Sequence, residues 1–204
     1  MGGTVATEAV HTTYEMVDHL PVLSVLVPFI AAPLIVLIGA RGLAWPIAMI
    51  ASVASLLISF ALLMQVIYGS VISYHLGGWA PPLGIEYRID AANAFVLLLV
   101  SGISTVVLPY AKASVGQEIP ARHHTLFYAC YLLCLTGLLG VVATGDAFNV
   151  FVFLEISSLS TYVLIAMGAH KDKRALTAAY DYLIMGTIGA TFFVIGIGFL
   201  YMAT

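Results

Sequence analysis

The chain has 204 residues, of which 62% are hydrophobic and 8% are charged, about a third of the ~25% charge that is typical of soluble domains. Together with a mean hydropathy of +1.07, this composition excludes a water-soluble protein. At ~20 apolar residues per crossing, the length accommodates roughly six or seven membrane helices and no extramembrane domain. The net charge is −3 and the seven Lys and Arg form no basic stripe, which excludes a nucleic-acid partner.

In chain order, the sequence predicts an all-α integral membrane protein. Residues 1–20 are expected to form an external N-terminal segment, and residues 21–204 a single transmembrane helical domain. Six apolar runs predict the transmembrane helices, at about 22–40, 43–68, 91–111, 124–143, 147–168 and 175–202.

Two of the connections are informative. The longest, residues 69–90, contains two short stretches, 71–76 and 85–89, separated by Gly and Pro residues, which predicts a β-hairpin outside the bilayer. The turn at residues 144–146 is so short that the fourth and fifth helices must be antiparallel neighbours. Asp146 fits the N-cap of the fifth helix.

The cations are distributed unequally between the two sides of the membrane. Six of the seven fall on one side: Arg41, Lys112, Arg122, Lys171, Lys173 and Arg174. The other side carries only Arg88. The positive-inside rule therefore predicts that both termini of this chain lie outside the cytoplasm.

Glu155 is difficult to explain as a packing residue. It lies eight residues into the fifth helix, which is ~12 Å from the outer end and near the middle of a ~30 Å hydrocarbon core. Placing a carboxyl at that depth costs roughly 2.5 to 3.5 kcal/mol on insertion scales measured for Asp. Several polar residues follow it, and Ser158 at i+3 shares its face. We therefore expect Glu155 to handle ions; the alternative is a neutral structural Glu that is hydrogen-bonded to another helix.

Asp181 is the second acid within a predicted span. It lies six residues into the sixth helix, ~9 Å deep, after the basic cluster Lys171, Lys173 and Arg174. Two interpretations are open: Asp181 takes up protons from the cytoplasmic side, or it is a hydrated residue favoured by the positive end of the helix dipole. No Lys or Arg lies within a predicted span, so the counter-charge for Glu155 comes from elsewhere, or Glu155 is protonated at rest.

The cysteines and histidines of the sequence are not positioned to bind a metal ion or a haem within the membrane. Cys130 and Cys134 share one face of an apolar helix and are expected to be packing thiols, and all six His fall in loops or at helix ends. We therefore expect no metal and no cofactor in this chain. Any oxidoreductase activity would belong to the complex that contains it.

Three segments of the sequence resemble one family: HLGGWAPPLGIEYRID at 75–90, TGDAFNVFVFLEISSLSTYVLIA at 144–166, and KRALTAAYDYLIMGTIGATFFVIGIGFLYMAT at 173–204. They are similar to the antiporter-like membrane subunits of respiratory complex I (NADH:quinone oxidoreductase), and most of all to the D subunits of the Mrp-type multisubunit sodium/proton antiporters. The resemblance extends over nearly all of the chain after about residue 22, and its middle segment is the most specific.

This resemblance implies the first half of an antiporter-like fold. It implies that Glu155, the acid of the GD-x-FN-x-F-x-F-x-E segment, is the intramembrane proton carrier and pairs with a Lys on a later, broken helix of a second, inverted repeat. Asp181 departs from the family pattern, in which an uncharged residue is more common. The implied partners are the lipid bilayer, other antiporter or complex I-like membrane subunits, protons and sodium. The implied location is a bacterial or archaeal cytoplasmic (inner) membrane.

The resemblance leaves three interpretations of the chain. It is a fragment, a short subunit completed by a second chain, or a six-helix protein without transport; we expect a fragment or an incomplete subunit. The function expected is that of a membrane subunit of a cation/proton antiporter or a complex I-like proton-translocating assembly. The alternative is a non-transporting structural or assembly subunit that docks through the Gly-rich faces of helices four and six.

Overall fold

A computed structural model describes residues 16–40, 42–79 and 84–203 of the chain. The described residues form six α-helices and one two-stranded sheet: α1 (Leu20–Ile38), α2 (Ala44–Tyr68), β1 (Ile72–His75), β2 (Glu86–Ile89), α3 (Ala91–Glu118), α4 (His124–Ala143), α5 (Ala147–Met167) and α6 (Arg174–Ala203). All six helices are long and apolar enough to cross a membrane. The prediction of an all-α membrane protein with six crossings is confirmed.

The connections alternate between two ends of the bundle. We call the end with β1, β2 and the α4–α5 turn the hairpin end, and the end with the α1–α2, α3–α4 and α5–α6 connections the basic end. Most of the predicted external segment, residues 1–15, lies outside the described residues, as does Arg41. Residues Met16–His19 form a 3₁₀ turn that leads into α1.

The core of the bundle lies among α1, α2, α3 and α4. α1 packs against α2 and α4, α2 against α3, and α4 against α5, while α6 packs against the outer side of α5. Ala179 is the one residue of α6 that is buried. α6 therefore lies at the edge of the bundle, with most of its surface exposed.

Hydroxyl groups connect three helices within this core. Ser52 Oγ of α2 lies 3.1 Å from Ser104 Oγ and 3.0 Å from Thr105 Oγ1, both on α3. Ser104 Oγ also lies 3.0 Å from the Tyr131 hydroxyl of α4, which donates to the Ser104 carbonyl at 3.0 Å. Polar groups away from water must find such partners, and this network satisfies its members within the bundle.

The predicted hairpin is present and holds the start of α5. β1 and β2 are antiparallel, with Tyr74 opposite Tyr87. The amide of Gly145 donates to the Glu86 carbonyl at 2.8 Å, and Tyr87 forms a β-bridge with Thr144. Burial raises the pKa of Tyr87 to about 12. The Tyr87 ring is buried, with its centroid 6.4 Å from that of Phe153, so it packs the hairpin against α5.

One helix differs in length from its prediction. The apolar run predicted that the third helix ends near residue 111, but α3 continues to Glu118. The last two turns carry polar residues, and the Lys112 ammonium lies 4.1 Å from the centroid of the Trp45 ring. Hydrophobicity therefore marked the apolar part of α3, and the helix itself extends beyond it.

Candidate functional site

The start of α5 is fixed by its own polar residues. The carboxylate of Asp146 accepts a hydrogen bond from the backbone amide of Asn149 at 3.0 Å, which confirms the predicted N-cap. The side-chain amide of Asn149 in turn donates to Thr144 Oγ1 at 3.0 Å. With the sheet contacts at Gly145, these bonds set the position from which α5 enters the bundle.

α5 packs tightly against α4 because two glycines of α4 face it. A Cβ placed on Gly137 would lie 2.6 Å from the Cβ of Ser157, and one on Gly140 would overlap the ring of Phe153. Small residues allow transmembrane helices to approach in this way. The contact holds α5 at a fixed distance from the core.

Glu155 lies on the other side of α5, beside α6. It is eight residues from Ala147, which places it ~12 Å along the helix axis, and it is partly buried. Its side chain borders a cleft of about 360 Å³, whose other lining residues are Phe151, Thr187, Ala190, Thr191, Val194 and Ile195. Within the described part of the chain, the Glu155 carboxyl has no hydrogen-bond or ion-pair partner.

Two threonines of α6 provide the polar atoms on the far wall of the cleft. Thr187 Oγ1 donates to the Leu183 carbonyl and Thr191 Oγ1 to the Thr187 carbonyl, each at 2.8 Å. Each hydroxyl uses its donor on its own helix and keeps its acceptor capacity. The cleft can therefore accept a hydrogen bond from a protonated carboxyl or from water.

The polar residues that follow Glu155 serve the backbone of α5. Ser157 donates to the Leu154 carbonyl at 3.0 Å, Ser160 to Ile156 at 2.7 Å and Thr161 to Ser157 at 2.8 Å. Ser158, which the sequence placed on the face of Glu155, is not a lining residue of the cleft. The polar residues that face Glu155 across the cleft are Thr187 and Thr191 of α6. Their spacing of four residues places them on one face of the helix, a pattern in the sequence that we did not use to predict the site.

Asp181 is apart from this cleft. It is exposed on α6 and lies six residues before Thr187, which is ~9 Å nearer the basic end. Six residues also turn the helix by about 240°, so the two side chains leave α6 in different directions. The structure brings Glu155 together with Thr187 and Thr191, and it does not bring Asp181 to them.

Possible metal ligands are scattered in the part of the chain that is described. Residues 16–40, 42–79 and 84–203 contain no group of three or more His, Cys, Asp or Glu side chains arranged to hold a metal ion. Cys130 and Cys134 are free thiols, and Cys134 Sγ lies 3.4 Å from Thr161 Oγ1. Within α4, Cys130 is buried and Cys134 is partly buried.

Comparison with known proteins identifies similar sequences along almost the whole chain. Residues 144–204 match the family described as "NADH:quinone oxidoreductase/Mrp antiporter, TM". The chain is 42% identical over 197 residues to NADH-quinone oxidoreductase subunit N of Desulforudis audaxviator, covering 93% of this chain and 38% of that protein. It is 30% identical over 188 residues to the D subunit of the Na(+)/H(+) antiporter of Bacillus subtilis, covering 92% and 37%. The chain thus spans little more than a third of the length of these relatives.

Two solved structures share the fold. A chain of the membrane-bound sulfane sulfur reductase, an archaeal respiratory membrane complex, superposes with a TM-score of 0.78 at 31% identity, over 92% of this chain and 37% of that chain. A chain of the Mrp complex from Dietzia sp. DQ12-45-1b superposes with a TM-score of 0.82 at 22% identity, over 94% and 35%. The six helices therefore have the arrangement found in a part of these larger membrane subunits.

Proposed function

The chain belongs to the family of antiporter-like membrane subunits that NADH:quinone oxidoreductases and Mrp antiporters share, and from this membership we propose that it handles protons in a multisubunit membrane complex. The complex is a cation/proton antiporter or a complex I-like proton-translocating assembly. Its other membrane subunits are the partners of this chain, and protons and sodium are the ions that it exchanges.

The observation that carries this proposal is the position of Glu155. A carboxyl placed ~12 Å along a transmembrane helix is costly unless it is neutral, hydrated or paired. Glu155 borders a cleft with room for water and with two threonine hydroxyls that can accept hydrogen bonds. A group of this kind can take up a proton, hold it and release it.

Release of the proton depends on a cation that approaches the cleft. A nearby positive charge favours the carboxylate form of Glu155, and its withdrawal favours the neutral form. The Lys and Arg side chains within the described residues lie in the hairpin or toward the basic end, where Lys112 is engaged with Trp45. We therefore assign the cation to a Lys on another transmembrane segment that covers the cleft.

Asp181 has a different role in this proposal, as a proton acceptor on the side of the basic end. It lies between the basic end and the level of Thr187, so it can receive a proton on the path from the basic end toward the cleft. Because its side chain leaves α6 on a different side from Thr187, the transfer to Glu155 requires water or a group from a neighbouring segment. Asp181→Asn is accordingly expected to slow exchange without abolishing it.

The orientation of the chain is a further part of the proposal. The cations are concentrated at the basic end, so we place this end in the cytoplasm and both termini outside it. A cysteine introduced at Ser70 should react with a membrane-impermeant reagent in intact cells, whereas cysteines at Ser114 or Lys173 should react only after permeabilisation. The reverse pattern would show that the chain has the opposite orientation.

The decisive experiment replaces the carboxyl of Glu155. Glu155→Gln keeps the size and a hydrogen-bonding amide but removes the titratable proton, so sodium-dependent dissipation of a pH gradient in everted vesicles should fall on the order of 100-fold or more. Glu155→Asp keeps the carboxyl but withdraws it by one methylene, so partial exchange should remain. Abundance of the complex is measured by blotting the same membranes.

A matched control removes a carboxyl from the surface of the same chain. Glu86→Gln, at the hairpin end, keeps an oxygen that can accept the exposed hydrogen bond from Ser73, so exchange should stay near the wild-type rate. Wild-type exchange by Glu155→Gln at equal abundance would instead show that Glu155 is not the proton carrier.

A structural or assembly role is the second candidate function. The observation in its favour is the exposed length of α6, on which Phe192 and Phe199 are 71% and 64% exposed. Under this alternative, neighbouring subunits cover α6, and Glu155 is a hydrogen-bonded residue of that interface. Glu155→Gln would then leave exchange unchanged, so the same measurement separates the two functions.

A further inference from the structure

Two connections meet at the basic end, away from the Glu155 cleft. Lys171 Nζ donates a hydrogen bond of 2.8 Å to Glu118 Oε1, which forms an exposed ion pair between the α5–α6 and α3–α4 regions. Nearby, the rings of His123 and His170 face each other with centroids 5.2 Å apart. We call these four residues together with Arg122 the basic junction.

The basic junction has hydrogen-bond donors that are not used within the described residues. Arg122 Nε donates to His123 Nε2 at 2.8 Å. A neutral imidazole that accepts at Nε2 carries its proton on Nδ1, so this N–H remains a donor. The two terminal nitrogens of the exposed Arg122 side chain are also available, and a guanidinium matches the geometry of a phosphate.

A groove of about 260 Å³ runs along the side of the bundle next to this junction. It is walled by α3, α4 and α5, with lining residues that include Tyr110, Ser114, Val115, Phe127 and Leu164. Glu118 at the end of α3 and Gly168 after the end of α5 also line it. Glu118 is thus the residue that the groove shares with the basic junction, and its ion pair brings the Lys171 ammonium to the basic end of the groove.

We propose that the groove and the basic junction bind one anionic phospholipid. An acyl chain occupies the groove between α3, α4 and α5, and the phosphate accepts hydrogen bonds from Arg122, from His123 Nδ1 and from Lys171. Basic pockets between transmembrane helices recognise anionic head groups in this way.

The charges at this end favour an anionic lipid over a zwitterionic one. The α3–α4 and α5–α6 connections, with the helix ends beside them, together carry four cationic side chains, Arg122, Lys171, Lys173 and Arg174. They carry two acidic ones, Glu118 and Asp172, so the positive charges are in excess. An ammonium of Lys has three donors, so Lys171 can contact a phosphate without leaving Glu118. The groove also faces the surroundings of the bundle, since Tyr110 on its rim is 75% exposed, and a lipid can enter from the side.

The test uses the protein purified from its own membranes with the subunits that accompany it. Phosphatidylglycerol should remain bound through delipidation, as counted by native mass spectrometry, and should raise the thermal unfolding midpoint. Phosphatidylcholine with the same acyl chains should do neither. Equal retention of the two lipids would overturn the proposal. Stabilisation by glycerol phosphate alone would show a phosphate site without a lipid and would overturn it as well.

Two variants address the two parts of the site. Arg122→Gln combined with Lys171→Gln should lower the preference for phosphatidylglycerol by about 30-fold, because two cations near an anionic head group are lost. Ser114→Phe places a ring in the groove and should lower the retention of the lipid itself. The proposal fails if neither variant changes lipid retention.

Matched controls remove a charge and add a ring elsewhere. Arg88→Gln removes an exposed cation at the hairpin end, and Ala113→Phe adds a ring on the exposed surface of α3 next to Ser114 but outside the groove lining. Both controls should retain phosphatidylglycerol as the wild type does. Losses equal to those of the site variants would show that the lipid is held by general charge or by the lipid-facing surface, and would overturn the proposed site.

Discussion

At the level of Glu155 the two faces of α5 pack in opposite ways, whereas nearer the basic end Tyr162 of α5 lies against Gly186 of α6. Toward α4, Gly137 and Gly140 let the helices approach until Ser157 and the ring of Phe153 fill the space between them. Toward α6, Glu155 borders a cleft of about 360 Å³. Phe153 and Glu155 are two residues apart, so the helix directs them about 200° from each other. The space beside Glu155 is thus a local feature of one face of a helix that is firmly held on the other.

The polar groups of the two faces differ in the same way. Ser157 and Ser160, which are buried, donate hydrogen bonds to carbonyls of their own helix. The Glu155 carboxyl has no such partner within the described residues. A hydroxyl whose bonds are satisfied needs nothing more, whereas a carboxyl at this depth requires a proton, water or a cation. The comparison therefore separates a structural face of α5 from the face that carries the proposed proton carrier.

Among the variants that test the two faces of α5, one that fills the cleft should have the largest effect on exchange. Thr191→Phe places a ring in the space beside Glu155 and excludes water, so exchange in everted vesicles should fall to near background while the abundance of the complex stays unchanged. Ile188→Phe is the control, because Ile188 is exposed on α6 and does not line the cleft. Wild-type exchange by Thr191→Phe would show that the cleft is not part of the ion path.

Much of this arrangement could be predicted from the sequence. Long apolar runs predicted six crossings, and the three-residue turn at 144–146 predicted that α4 and α5 are neighbours. The depth of Glu155 followed from the rise of a helix and the N-cap at Asp146. These inferences rest on local distances along one helix or one turn, which the sequence determines directly.

The lining of the cleft could not be predicted in the same way. Which residues of α6 face Glu155 depends on the rotation and height of α6 relative to α5, and almost every position of α6 is apolar or small. Periodicity therefore did not distinguish the face with Thr187 and Thr191 from the others. The length of α3 was underestimated for a related reason, since its last turns are polar and extend past the apolar run.

The tight face of α5 can be tested by adding one methyl group. Gly137→Ala would place a Cβ 2.6 Å from the backbone nitrogen of Ser157, so α4 and α5 must separate, and overpacking of this kind costs ~1 to 3 kcal/mol. The thermal unfolding midpoint of the purified protein should fall. In Gly102→Ala the nearest atom, Leu56 Cδ1, is 3.8 Å away, so the midpoint should stay close to that of the wild type. Equal midpoints for the two variants would mean that the α4–α5 contact is not tight.

A smaller effect is expected from the polar wall of the cleft. Thr187→Val removes a hydroxyl that lines the space beside Glu155 and keeps the shape of the side chain. Exchange should fall about two- to fivefold, which corresponds to a net hydrogen bond of ~0.5 to 1 kcal/mol. Thr177→Val on the same helix is the control, since Thr177 is exposed and outside the cleft lining. The role of Thr187 is contradicted if both variants exchange at the wild-type rate.

The smallest effect on stability is expected from a substitution in the hydroxyl network of α2, α3 and α4. We assign this network a structural role. Ser104→Ala removes the contacts of Ser104 Oγ with Ser52 and Tyr131. Ser52 keeps Thr105 at 3.0 Å, and Tyr131 still donates to the backbone carbonyl at position 104. Because no buried partner is left unsatisfied, the loss of stability should stay below ~1 kcal/mol, measured as a small decrease in the thermal midpoint. Exchange should be unchanged, since no group that carries a proton is altered. Loss of exchange at unchanged abundance would place the proton path among α2, α3 and α4, and the distinction between the two faces of α5 would no longer explain transport.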